Sequence, residues 1–463
     1  MFRMKTKTKQ LFTLLLFLIL AGTLKAQDDL EFTLVEAEEY ALQHSYVVQN
    51  SGLDVAAAQK KVWETIATGL PQVSGKANYT KNIDAAKSPM PVAIIPTDFW
   101  DVLGIPEDTP LDGTFPISFA DKYDSNYGFT VDQLIFDGSY IVGVGSAKVY
   151  VQMATQTKEK TEIDIKHAVA QSYFLVLTAE ENLKVMKENL KNSQKLESDT
   201  KALFENGFSE EQDVDQMRLL VQKAENEILK AEREIRIARI VLKYTMGVKV
   251  DDQIELTESL DLFLNPLLEN EEQPLGFDYS THIDYRMIDT QRQLSMKELK
   301  LSKSAYLPRL SAFYNWSKTA YGNNANLFKS SVPWFKSSMV GLNLTIPIFT
   351  SGQQMAKVQQ AKFAYQQAEN DQSLAEQTLQ KDYLTAIADI ESAADQYRND
   401  LDNKQLARRI YDKTTIKYNN GISSSIELSQ TETQYIEAQG AWVASVIQLL
   451  NSKISLDKAI GKL

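Results

Sequence analysis

Phe204-Glu205-Asn206-Gly207-Phe208-Ser209-Glu210-Glu211-Gln212-Asp213-Val214 and Tyr418-Asn419-Asn420-Gly421-Ile422-Ser423-Ser424-Ser425-Ile426-Glu427-Leu428 are two versions of one turn, set 214 residues apart. Each centres on an Asn-Gly inside a long stretch that has no other helix breaker. Gly207 is the only glycine within 146–246, and Gly421 the only one within 353–439. No proline falls between Pro116 and Pro266, or after Pro347. Because glycine and proline are the strongest local punctuation, each stretch reads as two helices turning back at the glycine. The expected hairpins run over about 139–247 and about 353–461.

Outward from the turns, the leading arms cover about 139–205 and 353–419, and the return arms about 209–246 and 423–460. A leading arm would be on the order of 100 Å long at the helical rise. Helices of that length pack as coiled coils. The apolar spacing agrees: Ala361, Ala364, Ala368, Ala375, Leu379, Tyr383, Ala386, Ile390, Ala394, Tyr397 and Leu401 step by threes and fours with one seven. That is a narrow, alanine-rich seam on an otherwise polar helix.

The duplication extends upstream. Gly69-Leu70-Pro71-Gln72-Val73-Ser74 matches Tyr306-Leu307-Pro308-Arg309-Leu310-Ser311, with the prolines 237 apart. Gly138 and Gly352, each following an Ile-Phe pair, are 214 apart, as are Gly247 and Gly461. The offset changes by 23 only between the prolines and these glycines, so one loop differs in length while both hairpins keep register. Two repeats follow, 27–270 and 271–463. Thr33-Leu34-Val35-Glu36 has capping-box spacing and opens a helix over 34–68, matched by one over about 281–305.

After each Leu-Pro the period falls to two. Val73, Gly75, Ala77 and Tyr79 alternate with polar residues, as do Tyr127, Phe129 and Val131, then Leu310, Ala312, Tyr314 and Trp316, then Val340, Leu342, Leu344 and Ile346. Four strands are expected, at about 72–82, 125–136, 309–318 and 337–348. Each is about the 9–11 residues needed to cross a bilayer. Four strands cannot close around a water-filled pore, and a bilayer tolerates no open sheet edge. If they span a membrane, several chains share one barrel, and three chains give twelve strands. The strands of each repeat are joined by loops at about 84–125, with six prolines, Phe99 and Trp100, and at about 319–336, with Trp334 and Phe335. Both loops are expected on the outer side.

The N-terminus carries Arg3, Lys5, Lys7 and Lys9, an apolar run from Leu11 to Leu20, and a cleavage-type Leu24-Lys25-Ala26. This is the layout of a secretory signal peptide over residues 1–26. Loss of that segment removes five cations and no acid, taking the net charge from −12 to −17. So acidic a chain is a poor partner for nucleic acid. There is no cysteine, and His44, His167 and His282 are scattered, so neither disulfides nor a metal centre is expected. Gly143-Val144-Gly145-Ser146-Ala147-Lys148 lacks phosphate-loop spacing. No convergent nucleophile and base appear, so no catalytic residue, cofactor or enzyme activity is expected.

Signal peptide, duplicated strand pairs and glycine-turned hairpins together resemble the TolC-like outer-membrane efflux proteins, over essentially the whole mature chain. The resemblance implies a mainly α fold with membrane β. Long antiparallel coiled-coil hairpins would form a periplasmic α-barrel, and four strands per chain would enter a trimeric twelve-stranded β-barrel. It implies a passive exit duct of a tripartite efflux or type I secretion system. Its partners would be two further copies, outer-membrane lipid, a periplasmic adaptor and an inner-membrane pump. Gly207, Phe208, Gly421 and Ile422 would then form the tips that receive the adaptor. Asp213 and Tyr418 would share a gate-closing hydrogen bond, and Glu427 would give a ring of pore-facing carboxylates. An arginine that helps lock the gate in the family falls at Ser423, and a second acidic ring position at Gln430. The alternative from the same residues is a periplasmic structural coiled coil without a pore; it leaves the two matched strand pairs unexplained.

Overall fold

The computed structural model describes residues 30–84, 86–118, 120–269 and 277–463. The expected signal segment lies outside them. In chain order, β1 (Leu30–Phe32) leads through α1 (Leu34–His44) and α2 (Tyr46–Ala67) into β2 (Gln72–Lys81). A small hairpin, β3 (Ser88–Pro91) and β4 (Thr114–Ile117), precedes β5 (Tyr123–Asp137). There follow α3 (Gly138–Glu205), α4 (Glu211–Met246), β6 (Ile254–Leu256) and α5 (Leu260–Glu269). The chain ends with α6 (Ile283–Ser304), β7 (Arg309–Gly322), β8 (Trp334–Thr345), α7 (Gln353–Asn419) and α8 (Ser425–Ala459). It divides into two compact units, one of residues up to 57, 152–292 and 368–463, the other of 58–151 and 293–367. Each unit draws on both sequence repeats.

The first unit is helical. Its entry is the Thr33 capping box: Thr33 Oγ1 accepts from the Glu36 amide at 3.3 Å, and Glu36 Oε2 accepts from the Thr33 amide at 2.9 Å. The single helix expected over 34–68 is two, parted at Ser45, whose backbone is extended. The Gln49 side chain caps the break by donating to the carbonyls of Gln43 and His44. Sequence pattern also missed the parallel pair β1–β6 and helix α5. These bury Phe32, Ile254, Leu260 and Leu264 against Tyr173, Leu242, Trp442 and Leu449. The Tyr173 hydroxyl donates to the Phe32 carbonyl and to Glu258, each at 3.1 Å, tying α3 to β1 and to the segment just after β6.

Heptad spacing is cleanest in α4, where Met217, Val221, Ala224, Ile228, Ala231, Ile235, Ala238 and Leu242 alternate steps of four and three, all buried. In α7 the buried line is Leu379, Ala386, Ala393 and Asp400, a strict seven-residue repeat, with Tyr397 beside it. The expected Ala394 and Leu401 are only half-buried, each packed at the edge of the core. A steady seven-residue repeat keeps a supercoiled seam on its partner, whereas a seam read residue by residue drifts round the straight helix.

The second unit holds a four-stranded antiparallel sheet in the order β2-β5-β7-β8. Its register puts Val73, Val131, Tyr314 and Val340 in one row, and Gly75, Phe129 and Trp316 in the next. Leu310 with Leu344, and Ala312 with Leu342, continue that face. All four apolar sets therefore lie on one side, and much of it is bare: Val340 is 78 % exposed, Leu342 70 % and Leu344 58 %. β2 and β8 are the outer strands, each pairing on one side only among the described residues. Trp334 and Phe335, expected in a loop, open β8 instead, and β7 runs on to Gly322. The rings of Tyr127 and Trp334 sit 5.0 Å apart across the sheet, so aromatic packing extends the ladder. The segment between β2 and β5 has its own core of Val92, Ile95, Trp100, Ile105 and Ile117, and Trp100 Nε1 donates to the Ile95 carbonyl at 3.1 Å.

Candidate gate and docking site at the hairpin tips

Both turns close in the same way. At the first, Gly207 has φ +80°, its amide donates to Phe204, and the Phe208 amide reaches back to Leu203, each at 2.9 Å. At the second, Gly421 has φ +71°, with bonds to Tyr418 at 2.9 Å and from Ile422 to Lys417 at 2.8 Å. This is the Schellman ending, in which a left-handed residue satisfies the last carbonyls of a helix. A side chain at that φ would be strained, hence glycine. Phe208 and Ile422, the residues that follow, are 81 % and 74 % exposed. They are apolar projections at the head of each hairpin with nothing of the chain over them.

The acids begin the return helices. Glu210 caps α4, and its amide donates to Asp213 Oδ2 at 3.2 Å, joined by the Ser209 hydroxyl at 3.0 Å. Ser424 caps α8 by accepting from the Glu427 amide at 3.2 Å, and Ser423 donates to Glu427 Oε2 at 2.6 Å. Carboxylates suit the positive end of a helix. Partial burial pushes the Asp213 carboxyl upward. Hydrogen bonds from Ser425, the Glu210 amide and Ser209 outweigh that and hold it below the ordinary carboxylate range.

The hydrogen bond expected between Asp213 and Tyr418 is absent from the structure. The Tyr418 ring is buried, and its hydroxyl shares a 3.1 Å hydrogen bond with Thr200 on α3. Asp213 instead accepts from the Ser209 hydroxyl and the Glu210 amide of its own turn. Tyr418 thus binds across the hairpins, while Asp213 closes the first turn of its own helix. The Tyr418–Thr200 bond belongs to a longer polar ladder that sequence reading did not single out. Gln439 accepts from Asn189 at 3.2 Å and donates to Asn182 at 3.1 Å, while Ser193 donates to Glu432 at 2.8 Å. Ser425, Glu432 and Gln439 are buried and seven residues apart on α8, a heptad spacing that was visible in the sequence. Around them Leu196, Met217, Leu220, Tyr411, Leu428 and Tyr435 supply the apolar contacts between the four helices. Among the described residues no group of three or more His, Asp or Glu is placed to hold a metal ion.

An outer membrane efflux protein family model matches residues 39–248 and 285–462, so both hairpins and both strand pairs fall within it. The chain belongs to that family. It is 22 % identical over 301 residues to the outer membrane protein TolC of Vibrio cholerae, covering 64 % of this chain and 65 % of that one, just under two thirds. It is 24 % identical over 375 residues to the pyoverdine export outer membrane protein OpmQ of Pseudomonas aeruginosa, covering 76 % and 73 %. Its fold is similar to the Campylobacter jejuni CmeC outer membrane channel, with TM-score 0.68, 16 % identity and coverage of 92 % and 85 %. The open state of the Neisseria gonorrhoeae MtrE outer membrane channel gives TM-score 0.65 at 17 % identity, covering 92 % and 88 %. The last two are outer membrane channels, and the family to which this chain belongs is one of efflux proteins rather than enzymes.

Proposed function

We propose that three copies form a passive exit duct across the outer membrane, working with a periplasmic adaptor and an inner-membrane pump to export small molecules or proteins. One observation carries the reading: a sheet with a bare apolar face and two unpaired outer strands. β2 and β8 run in opposite directions, because every neighbouring pair between them is antiparallel. β8 of one copy can therefore pair antiparallel with β2 of the next, and three copies close a barrel of twelve strands. Closure satisfies the backbone groups that lipid cannot. The face of Val340, Leu342 and Leu344 then meets lipid, and the face of Asn343 and Thr345 the water-filled interior.

The helical unit supplies the periplasmic portion. Phe208 and Ile422, held out by Gly207 and Gly421, are the surface offered to the adaptor. Tyr418 holds the two hairpins together at the entrance while Asp213 caps the return helix there, and Glu427 in three copies adds a carboxylate ring attractive to cations. The test is the native mass of protein extracted in mild detergent from purified outer membranes, followed by conductance in planar bilayers. A conducting trimer is expected. A monomer or soluble dimer absent from the outer membrane would return the chain to the pore-free coiled-coil reading.

A further inference from the structure

Glu432 lies in the middle of the polar ladder between the hairpins, and it is the one rung that carries a titratable acid. It is 3 % exposed. Ser193 of α3 donates to its Oε1 at 2.8 Å, while its Oε2 is buried with no donor among the described residues. The other elements packed round it offer little charge compensation. From α4 comes the field of Lys223 without a contact, and from α7 the hydroxyl-bearing ring of Tyr411. Tyr411 stacks on Tyr435 of α8 itself, with ring centroids 6.0 Å apart, and the Tyr435 hydroxyl is taken by Arg408 of α7 at 3.1 Å. Arg408 also pairs with Asp412 at 3.3 Å, so its charge is committed elsewhere. A carboxylate in such a place has half its acceptor capacity unmet, which is costly in a buried site.

We propose that Glu432 is a proton-operated latch between the two hairpins: neutral, it lets them pack; ionised, it drives them apart toward water. The remaining rungs suit that movement. Ser193, Asn189, Gln439, Thr200 and Tyr418 are uncharged hydrogen-bonding groups that water can serve equally well once the seam opens. Burial pushes the Glu432 carboxyl above the ordinary carboxylate range, against the lowering effects of Ser193 and Lys223. The sign follows directly. An acid whose packed-state pKa is raised favours packing while protonated, and that stabilisation is lost as pH rises through the window above the ordinary range. Acid therefore closes this part of the seam and alkali loosens it. The closed-to-open ratio changes about tenfold for each unit by which packing displaces the titration.

The effect on transport rests on the duct reading; the packing claim does not. The experiment separates them. The chain has no cysteine, so Lys201→Cys on α3 and Lys417→Cys on α7, both exposed, place one spin label on each hairpin of the purified full chain. Label separation and bilayer conductance are measured from ~pH 5 to ~pH 8. Separation and open probability are expected to rise together across that range. Glu432→Gln should flatten both and keep the hairpins close. Ser193→Ala, which removes the only donor to the carboxylate among the described residues, should move the midpoint to higher pH. A Glu432→Gln profile that follows the parent, or a midpoint unmoved in Ser193→Ala, overturns the latch. Movement that depends on Glu432 with no conductance at any pH supports the latch and refutes the duct.

Discussion

Leu342→Arg tests the bare face of the sheet most sharply. Leu342 is on β8 opposite Ala312, in the same face as Val340 and Leu344, and 70 % of its surface is uncovered. If that face meets water, the exchange replaces one exposed side chain by another, and surface changes of this kind usually stay within about 0.5 kcal/mol. If it meets lipid near the bilayer centre, arginine costs about 2–4 kcal/mol per copy. Three copies in one barrel raise that to roughly 6–12 kcal/mol per assembly. The matched control is Asn343→Arg, one residue along on the opposite face, which enters the wet interior and should be near neutral. The assay is folding into lipid vesicles across a urea series, scored by heat-resistant trimer on a gel. Leu342→Arg should lose trimer at far lower urea than the parent, and Asn343→Arg should not. Equal behaviour of the two variants would refute the lipid-facing assignment.

Gly421→Val places a branched side chain at φ +71° and should destabilise the second tip by roughly 1–2 kcal/mol, weakening adaptor capture while the trimer survives; full capture in a cross-linking assay would exclude this tip as the docking point. The carboxyl of Asp213 sits below its ordinary range, so its capping of α4 through Ser209 and the Glu210 amide is present above that range and lost as pH falls through the lowered value. Amide exchange in the first turn of α4 should therefore speed up on the acid limb, and Asp213→Asn should abolish that limb; an unchanged limb would count against the cap. Trp100→Ala removes the centre of the small core between β2 and β5 and should cost about 3–5 kcal/mol there, exposing the segment to protease; trimer loss in the same variant would show that the segment has a role in assembly.

Much of this architecture is legible in the sequence because two long elements repeat at a fixed offset. A glycine that ends a helix in left-handed geometry is hard to disguise, and Gly207 and Gly421 mark the turns without help from packing. The parity of the strands is equally plain, since side chains alternate between faces, and the register joins the four apolar sets as their spacing implies. What the sequence hides is short or cross-chain. β1 and β6 have three residues each, too few to show a period, and they exist because Phe32 and Ile254 close a core made elsewhere. The break at Ser45 depends on Gln49 reaching back, a contact no propensity encodes. At the tips, the residue types did not reveal the hydrogen-bond partners. Tyr418 meets Thr200, and only the packing of two hairpins settles which hydroxyl it finds.

The unpaired outer strands have a consequence for biogenesis. A chain with two sticky rims and an oily face has no comfortable solitary form in either water or lipid. In the proposed assembly each copy supplies what its neighbour lacks, so insertion must wait for encounter. The yield of ducts should then depend on chain concentration more steeply than first order. A cell that halves synthesis would lose well over half its ducts, and the stranded protomers would become substrates for periplasmic proteases.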